Sequence, residues 1–197
     1  MTRSLILASA SPRRRQLLEQ LGLVFIVAEQ NIDESRRAGE SAHDYVLRMA
    51  SEKAGAGLAT CADGAIVIGA DTSVVCDGDV LGKPEDAADG WRMLQRLSGR
   101  EHEVMSAVTV AQGARQQSRL STSRVTFRPI SAVEAQAYWE TGEPSGKAGG
   151  YAIQGLGAIF IQHLQGSYSG VMGLPLFETA ALLQEFGIPC LAVPAEA

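Results

Sequence analysis

The sequence predicts an α/β fold, a mixed β-sheet flanked by helices, and three observations carry that reading. Short apolar runs of strand length alternate with stretches whose apolar residues recur at helical spacing. Hairpin signals, Asp77-Gly78 above all, sit beside helical connections, so antiparallel and crossover pairings must share one sheet. The chain has 197 residues, 46% hydrophobic and 20% charged, which suits one domain over residues 1–197, drawn either as one body or as two lobes around a cleft. At that length a core forms without disulfides or a structural metal.

Residues 4–8 read as a short buried strand, after which Ser9-Ala10-Ser11-Pro12 turns the chain. Ser11 is placed to cap a helix with Pro12 at its first position, Leu17, Leu18 and Leu21 on its inner face and Gly22 at its end. Residues 24–28 are a second strand candidate, and residues 41–58 a helix with Tyr45, Val46, Met49 and Ala50 on one face. Residues 65–76 read as a strand broken near Gly69-Ala70-Asp71-Thr72. A helix over 85–98 should turn Trp91, Leu94 and Leu97 to the core. Residues 104–111 and 118–127 alternate as paired strands about Gly113, and Ser131 with Glu134 forms a capping box for a helix reaching 139. A Gly-rich irregular stretch over 142–157, a strand over 158–164 and a helix over 174–186 complete the chain.

Cys61, Cys76 and Cys190 are scattered and odd in number, as expected of reduced thiols in a cytoplasmic protein. After Met1-Thr2-Arg3 come only four apolar residues, too few for a signal-peptide core, and no segment is long enough to span a membrane. The net charge of −5 and pI near 5.2 argue against general nucleic-acid binding. Any polyanion must therefore meet local positive charge. Of the 17 basic residues only Lys53, Lys83 and Lys147 are lysine, which makes those three worth following.

Arg13, Arg14 and Arg15 stand in the first turn of the first helix, where the helix dipole disfavours cations. A bound polyphosphate would offset that repulsion, through unpaired backbone N–H groups and guanidinium forks. Asp71, at the end of an apolar strand, suits an acid or a metal ligand, with Gly69 and Ala70 small enough to let substrate or metal come close. A strand-ending turn residue would look the same. Lys83 is held between Gly82 and Pro84, and Lys53 and Glu34 complete the charged candidates. His43, His102 and His163 are isolated, and no Ser-His-Asp or Cys-His grouping supports nucleophilic catalysis. A metal here must be bound by carboxylate oxygens, which favours Mg²⁺ or Mn²⁺, with Co²⁺ possible, over zinc.

Together these motifs resemble the Maf family of nucleotide pyrophosphatases. The likeness runs from residues 5–14 through Gly69-Ala70-Asp71-Thr72, Leu81-Gly82-Lys83-Pro84 and residues 147–155 to Gly173-Leu174-Pro175. It implies a cleft between two lobes and hydrolysis of a nucleoside triphosphate to monophosphate and pyrophosphate. By position, Asp71 matches the family's proton acceptor, and Ser9, Arg13, Arg14, Glu34, Lys53 and Lys83 its phosphate, metal and cleft residues. Three specificity positions read Arg13, Thr72 and Gln154, as in the dTTP/UTP branch; the 7-methyl-GTP branch carries bulkier or acidic residues there. Ala10 and Arg15 depart from the family pattern, and Arg15 is expected to be a solvated neighbour.

The expected chemistry is metal-assisted attack of water on the α-phosphorus, with Asp71 as general base and Glu34 and Asp71 holding the cation; how base and ligand roles divide between the two carboxylates stays open. Arg13, Arg14, Lys53 and Lys83 would stabilise phosphate charge. The expected partner is the nucleotide, without nucleic acid or membrane, and a homodimer is one possibility. A nucleotide-binding regulator of septum formation without significant turnover and a 7-methyl-GTP-specific pyrophosphatase are the rival readings, and a nucleic-acid module is a weaker one.

Overall fold

The computed structural model describes residues 4–191 of the expected 1–197 domain; Met1-Thr2-Arg3 and residues 192–197 lie outside them. Its centre is a seven-stranded mixed sheet in the order β2-β1-β3-β5-β6-β7, with β4 against one part of β3. The strands are β1 (Leu5–Ala8), β2 (Ile26–Val27), β3 (Ile66–Cys76), β4 (Asp79–Leu81), β5 (Glu101–Gln112), β6 (Arg115–Phe127) and β7 (Ile161–Gln165). The helices are α1 (Pro12–Glu19), α2 (Ala42–Ala59), α3 (Ala87–Leu97), α4 (Ala132–Glu140), α5 (Tyr168–Met172) and α6 (Leu176–Glu185). Strands β1, β2 and β3 run parallel, whereas β3, β5, β6 and β7 pair antiparallel in succession.

One feature of β3 positions everything that follows. Its first half pairs with β1, ending at Ala8 beside Gly69, and its last three residues pair with β4, ending at Leu81 beside Val74. Between these two partners the edge of β3 at residues 70–73 is open. The far edge stays paired to β5 throughout, so the strand is continuous where a break was expected. The break lies in the pairing, not in the backbone.

Alternation along the strands sorts residues to two faces. Leu5, Leu7, Ile66, Ile68 and Ala70 pack with Leu17, Leu18, Leu182 and Leu183 of α1 and α6. On the opposite face lie Ile6, Ala8 and Val67, toward α2. A further apolar cluster joins the far end of β3 to α3 and α4 through Val74, Leu94, Leu97, Phe127, Tyr138 and Phe160. The cleft opens between these bodies.

Several local expectations change. Residues 24–28 contain only a two-residue strand, with Val24 almost fully exposed. Helix α1 ends at Glu19, and Gly22 completes the following turn at φ 68°. Trp91 is 43% exposed rather than inward; the α3–α4 contact is instead made by Trp139 lying over Gly90, where no Cβ would fit. A 3₁₀ turn (Leu156–Phe160) takes the start of the expected strand at 158, and α5, which the sequence reading passed over, precedes a shorter α6. The capping box at Ser131 and Glu134 forms as expected.

Candidate active site

Both chain ends bordering the open edge of β3 enter one cleft of about 480 Å³. Ser9 to Arg14 leave the end of β1, Gly82 and Lys83 leave the end of β4, and Asp71, Thr72 and Ser73 form the floor between them. Five cationic side chains (Arg13, Arg14, Lys53, Lys83, Lys147) and two anionic ones (Glu34, Asp71) line the cleft. In a chain of net charge −5 this is a marked local excess of positive charge.

Asp71 faces α2 because its odd-numbered position shares the face of Val67 and Gly69. Gly69 makes the contact close: a Cβ there would stand 2.3 Å from Ala50 O and 2.4 Å from Ala54 N. The small residue therefore admits the α2 backbone rather than a ligand, which corrects the sequence reading of Gly69. As a result Lys53 of α2 lies over Asp71, with Nζ donating to Oδ1 at 2.7 Å, the two residues being 7% and 8% exposed. The same Nζ is 2.7 Å from Glu34 Oε1.

Glu34 comes from an irregular loop held down by α2. Tyr45 donates to Glu34 O at 2.8 Å, and Arg48 donates to Ser35 O and to both carboxylate oxygens of Glu40. Burial alone would raise the Glu34 carboxyl. The Lys53 hydrogen bond and the charges of Lys53, Lys83 and Arg14 outweigh it and hold the group below its usual range. The Tyr45 hydroxyl is pushed up to about 12 by burial and by the neighbouring Asp71 and Glu34 carboxylates, so it remains a donor.

The three arginines of α1 separate cleanly. Arg14 is fixed: Nε donates to Gly173 O at 2.8 Å, Nη1 to Ser9 Oγ at 3.3 Å and Nη2 to Thr72 Oγ1 at 3.5 Å. Arg13 points into the cleft, and Arg15 is exposed and paired with Glu19 at 2.8 Å. Burial lowers the pKa of both cleft arginines; Arg14 adds to the effect on Arg13, while Asp71 and Glu34 offset part of it on Arg14. Lys147 is lowered too, by burial and then by Arg13. An anion bound among them would relieve each of these costs.

Ser9, Arg13, Arg14, Glu34, Lys53, Asp71, Thr72, Lys83 and Gln154 thus all line one cleft. Thr72 differs from expectation in its bonding. Its hydroxyl meets Ser106 Oγ at 2.8 Å and Gly173 O at 3.3 Å as well as Arg14, so its visible work is to steady Arg14 and the turn after α5. The sequence assigns no part in the site to Ser106 or Gln30, and it marks Tyr45 only as sharing a helix face with Val46, Met49 and Ala50. No spacing signal marks these positions. Lys147 was at least visible as one of three lysines.

Two carboxylate oxygens that each reach the same ammonium at 2.7 Å can also converge on one hard cation. No group of three or more His, Cys, Asp or Glu that could hold a metal occurs among the described residues. A cation at Glu34 and Asp71 would therefore draw its remaining ligands from phosphate and water.

A cation-lined cleft that also holds two carboxylates, set where β1 and β4 part along β3, is suited to a polyanionic ligand. The chain belongs to the Maf-like protein family, whose model matches residues 4–186. A dTTP/UTP pyrophosphatase of Vibrio parahaemolyticus is 52% identical over 183 residues, 93% of this chain and 97% of that protein. One from Methylococcus capsulatus is 53% identical over 184 residues, 93% and 91% of the two chains. Among solved structures, the Staphylococcus aureus Ham1 protein matches with a TM-score of 0.47 at 12% identity, covering 64% of this chain and 72% of that one.

Proposed function

We propose that the protein is a nucleoside triphosphate pyrophosphatase that prefers dTTP and UTP, releasing the monophosphate and pyrophosphate. The observation that carries this reading is the grouping of Arg13, Arg14, Lys53, Lys83 and Lys147 around Asp71 and Glu34 in one cleft. The relatives' names supply the substrate class. Among the described residues no helix is long and apolar enough to cross a membrane.

In this mechanism Asp71 accepts the proton of the attacking water, a role worth about 10²–10⁴-fold. The water oxygen bonds to the α-phosphorus, the bond to the bridging oxygen breaks, and pyrophosphate leaves with that oxygen's electron pair. Arg14, already held by Ser9, Thr72 and Gly173, needs little reorganisation to meet phosphate oxygens. Arg13, Lys53 and Lys83 add charge along the triphosphate, and Lys53 holds the Asp71 carboxylate in orientation. Glu34 and Asp71 would hold Mg²⁺ or Mn²⁺, which when bound would neutralise phosphate oxygens and acidify water. Gln154, exposed at the cleft wall, offers both a donor and an acceptor to a pyrimidine's carbonyl and N–H edge.

Pyrophosphate release measured on dTTP, UTP, CTP and 7-methyl-GTP with each metal tests the substrate assignment; equal rates on all four would sink the dTTP/UTP preference. Asp71→Asn tests the base. It should lose about 10²-fold or more in kcat while remaining folded, and near wild-type turnover would remove Asp71 from that role.

A further inference from the structure

The Gly-rich run after α4 returns to the cleft at residues 151–154. Gln154 is exposed there, and no hydrogen bond among the described residues engages its amide. An amide on an exposed turn discriminates poorly unless its backbone is fixed, because hydrogen-bond selectivity depends on placement to about 0.5 Å.

Two side chains that do not line the cleft provide that fixing. Tyr138 of α4 accepts from Ala152 N at 3.1 Å and donates to Glu143 Oε1 at 2.6 Å. The Glu143 carboxylate also accepts from Leu156 N and Gly157 N, both at 2.9 Å. The turn bearing Gln154 is thereby tied on both flanks to one phenol–carboxylate pair. Gly155 fits against it closely, since a Cβ there would stand 2.1 Å from Glu143 Oε2. Burial would raise the Glu143 carboxyl, but Tyr138, the two backbone N–H groups and Lys147 together hold it below its usual range. The buried Tyr138 ring is itself set edge-on to Phe160, centroids 5.1 Å apart.

We propose that Glu143 is a positioning residue for base selectivity: with Tyr138 it fixes the backbone of residues 152–157 and so places Gln154 in the cleft. This rests on the reading of Gln154 as the residue that meets the base. Removing the carboxylate would leave the Tyr138 hydroxyl and two backbone N–H groups without their acceptor and release the turn.

Steady-state kcat and KM for dTTP and for dATP, compared across Glu143→Ala, Glu143→Gln, Gly155→Ala and Gln154→Ala, test the idea. Glu143→Ala and Gly155→Ala should each lower kcat/KM for dTTP by about tenfold, chiefly through KM, and dATP by less than about twofold. Glu143→Gln, keeping one acceptor oxygen, should fall between Glu143→Ala and wild type. In a Gln154→Ala background, Glu143→Ala should cost no further selectivity, since both act on the same contact. Equal losses on dTTP and dATP in both clamp variants would overturn the proposal in favour of a general structural role. If Gln154→Ala loses selectivity while both clamp variants keep it, the proposal fails and the reading of Gln154 stands. If Gln154→Ala keeps selectivity, both fall.

Discussion

Replacing Lys53 with Met separates charge from packing at the centre of the site, because Met keeps the aliphatic stem and removes the ammonium. Lys53 Nζ bridges Asp71 Oδ1 and Glu34 Oε1, each at 2.7 Å. Breaking a fully buried pair by deleting one partner costs about 3–5 kcal/mol. The Glu34 side chain is 47% exposed and can rehydrate, while that of Asp71 is only 12% exposed and bears most of the loss. The expected destabilisation is accordingly about 2–3 kcal/mol, or roughly 5–10 °C in Tm for a domain of this size. Thermal and urea unfolding at neutral pH without nucleotide measure it. The double variant Lys53→Met/Asp71→Asn, which removes the stranded charge, should return to within about 1 kcal/mol of wild type. Pyrophosphate release should fall by about 10²-fold or more in both variants. Unchanged melting of Lys53→Met, or a double variant no more stable than the single one, would refute the picture of a lysine holding two carboxylates in place.

Three further outcomes follow from particular contacts. Gly69→Ala should destabilise by about 3 kcal/mol and reduce turnover with it, because the atoms a Cβ meets, Ala50 O and Ala54 N, are backbone and cannot yield; urea midpoints and rates check both. Thr72→Val should cost about 1–2 kcal/mol and raise the nucleotide KM several-fold, since Arg14, Ser106 and Gly173 lose a shared partner; an unchanged KM would count against Thr72 as a tether for Arg14. Buried His102, bonded through Nε2 to the Tyr151 hydroxyl at 2.8 Å, is pushed down to about 4 by burial, below its ordinary 6.5. Below pH 6.5 the unfolded chain therefore takes a proton that the folded chain refuses, so stability falls as pH drops toward 4, by at most ~1.4 kcal/mol per unit. His102→Gln should flatten that limb of a urea-unfolding series, and the same slope in both proteins would exclude His102 as its source.

Much of the site was legible in the sequence because its residues sit at signalled places. Ser9 to Arg14 follow a buried strand and include a Ser-Pro helix cap, Asp71 lies between apolar runs of one strand, and Lys83 stands between Gly and Pro. Each is a local pattern with a local cause. Arg15 was rightly set apart from its neighbours, since at the next helical position it faces solvent and Glu19. The supporting contacts left no such mark. Ser106 and Glu143 are ordinary polar residues in their own segments, and they acquire work only when Gly170 O or the backbone of residues 156–157 is brought against them. Trp91 was misread because helical spacing tells which residues share a face, not which face a neighbouring helix covers.

By itself the sequence determined the alternation of strands and helices, the acidic background against which basic residues must cluster, and the motifs that resemble one family. These depend on spacing and residue type within a few turns of chain. Only the tertiary structure decided that β3 divides its edge between β1 and β4, that Gly69 admits the α2 backbone, and that Lys53 stands between Asp71 and Glu34. Those facts rest on which distant segments pair and how closely they approach. Strand pairing and close packing are made between residues far apart in the chain, and no local pattern records them.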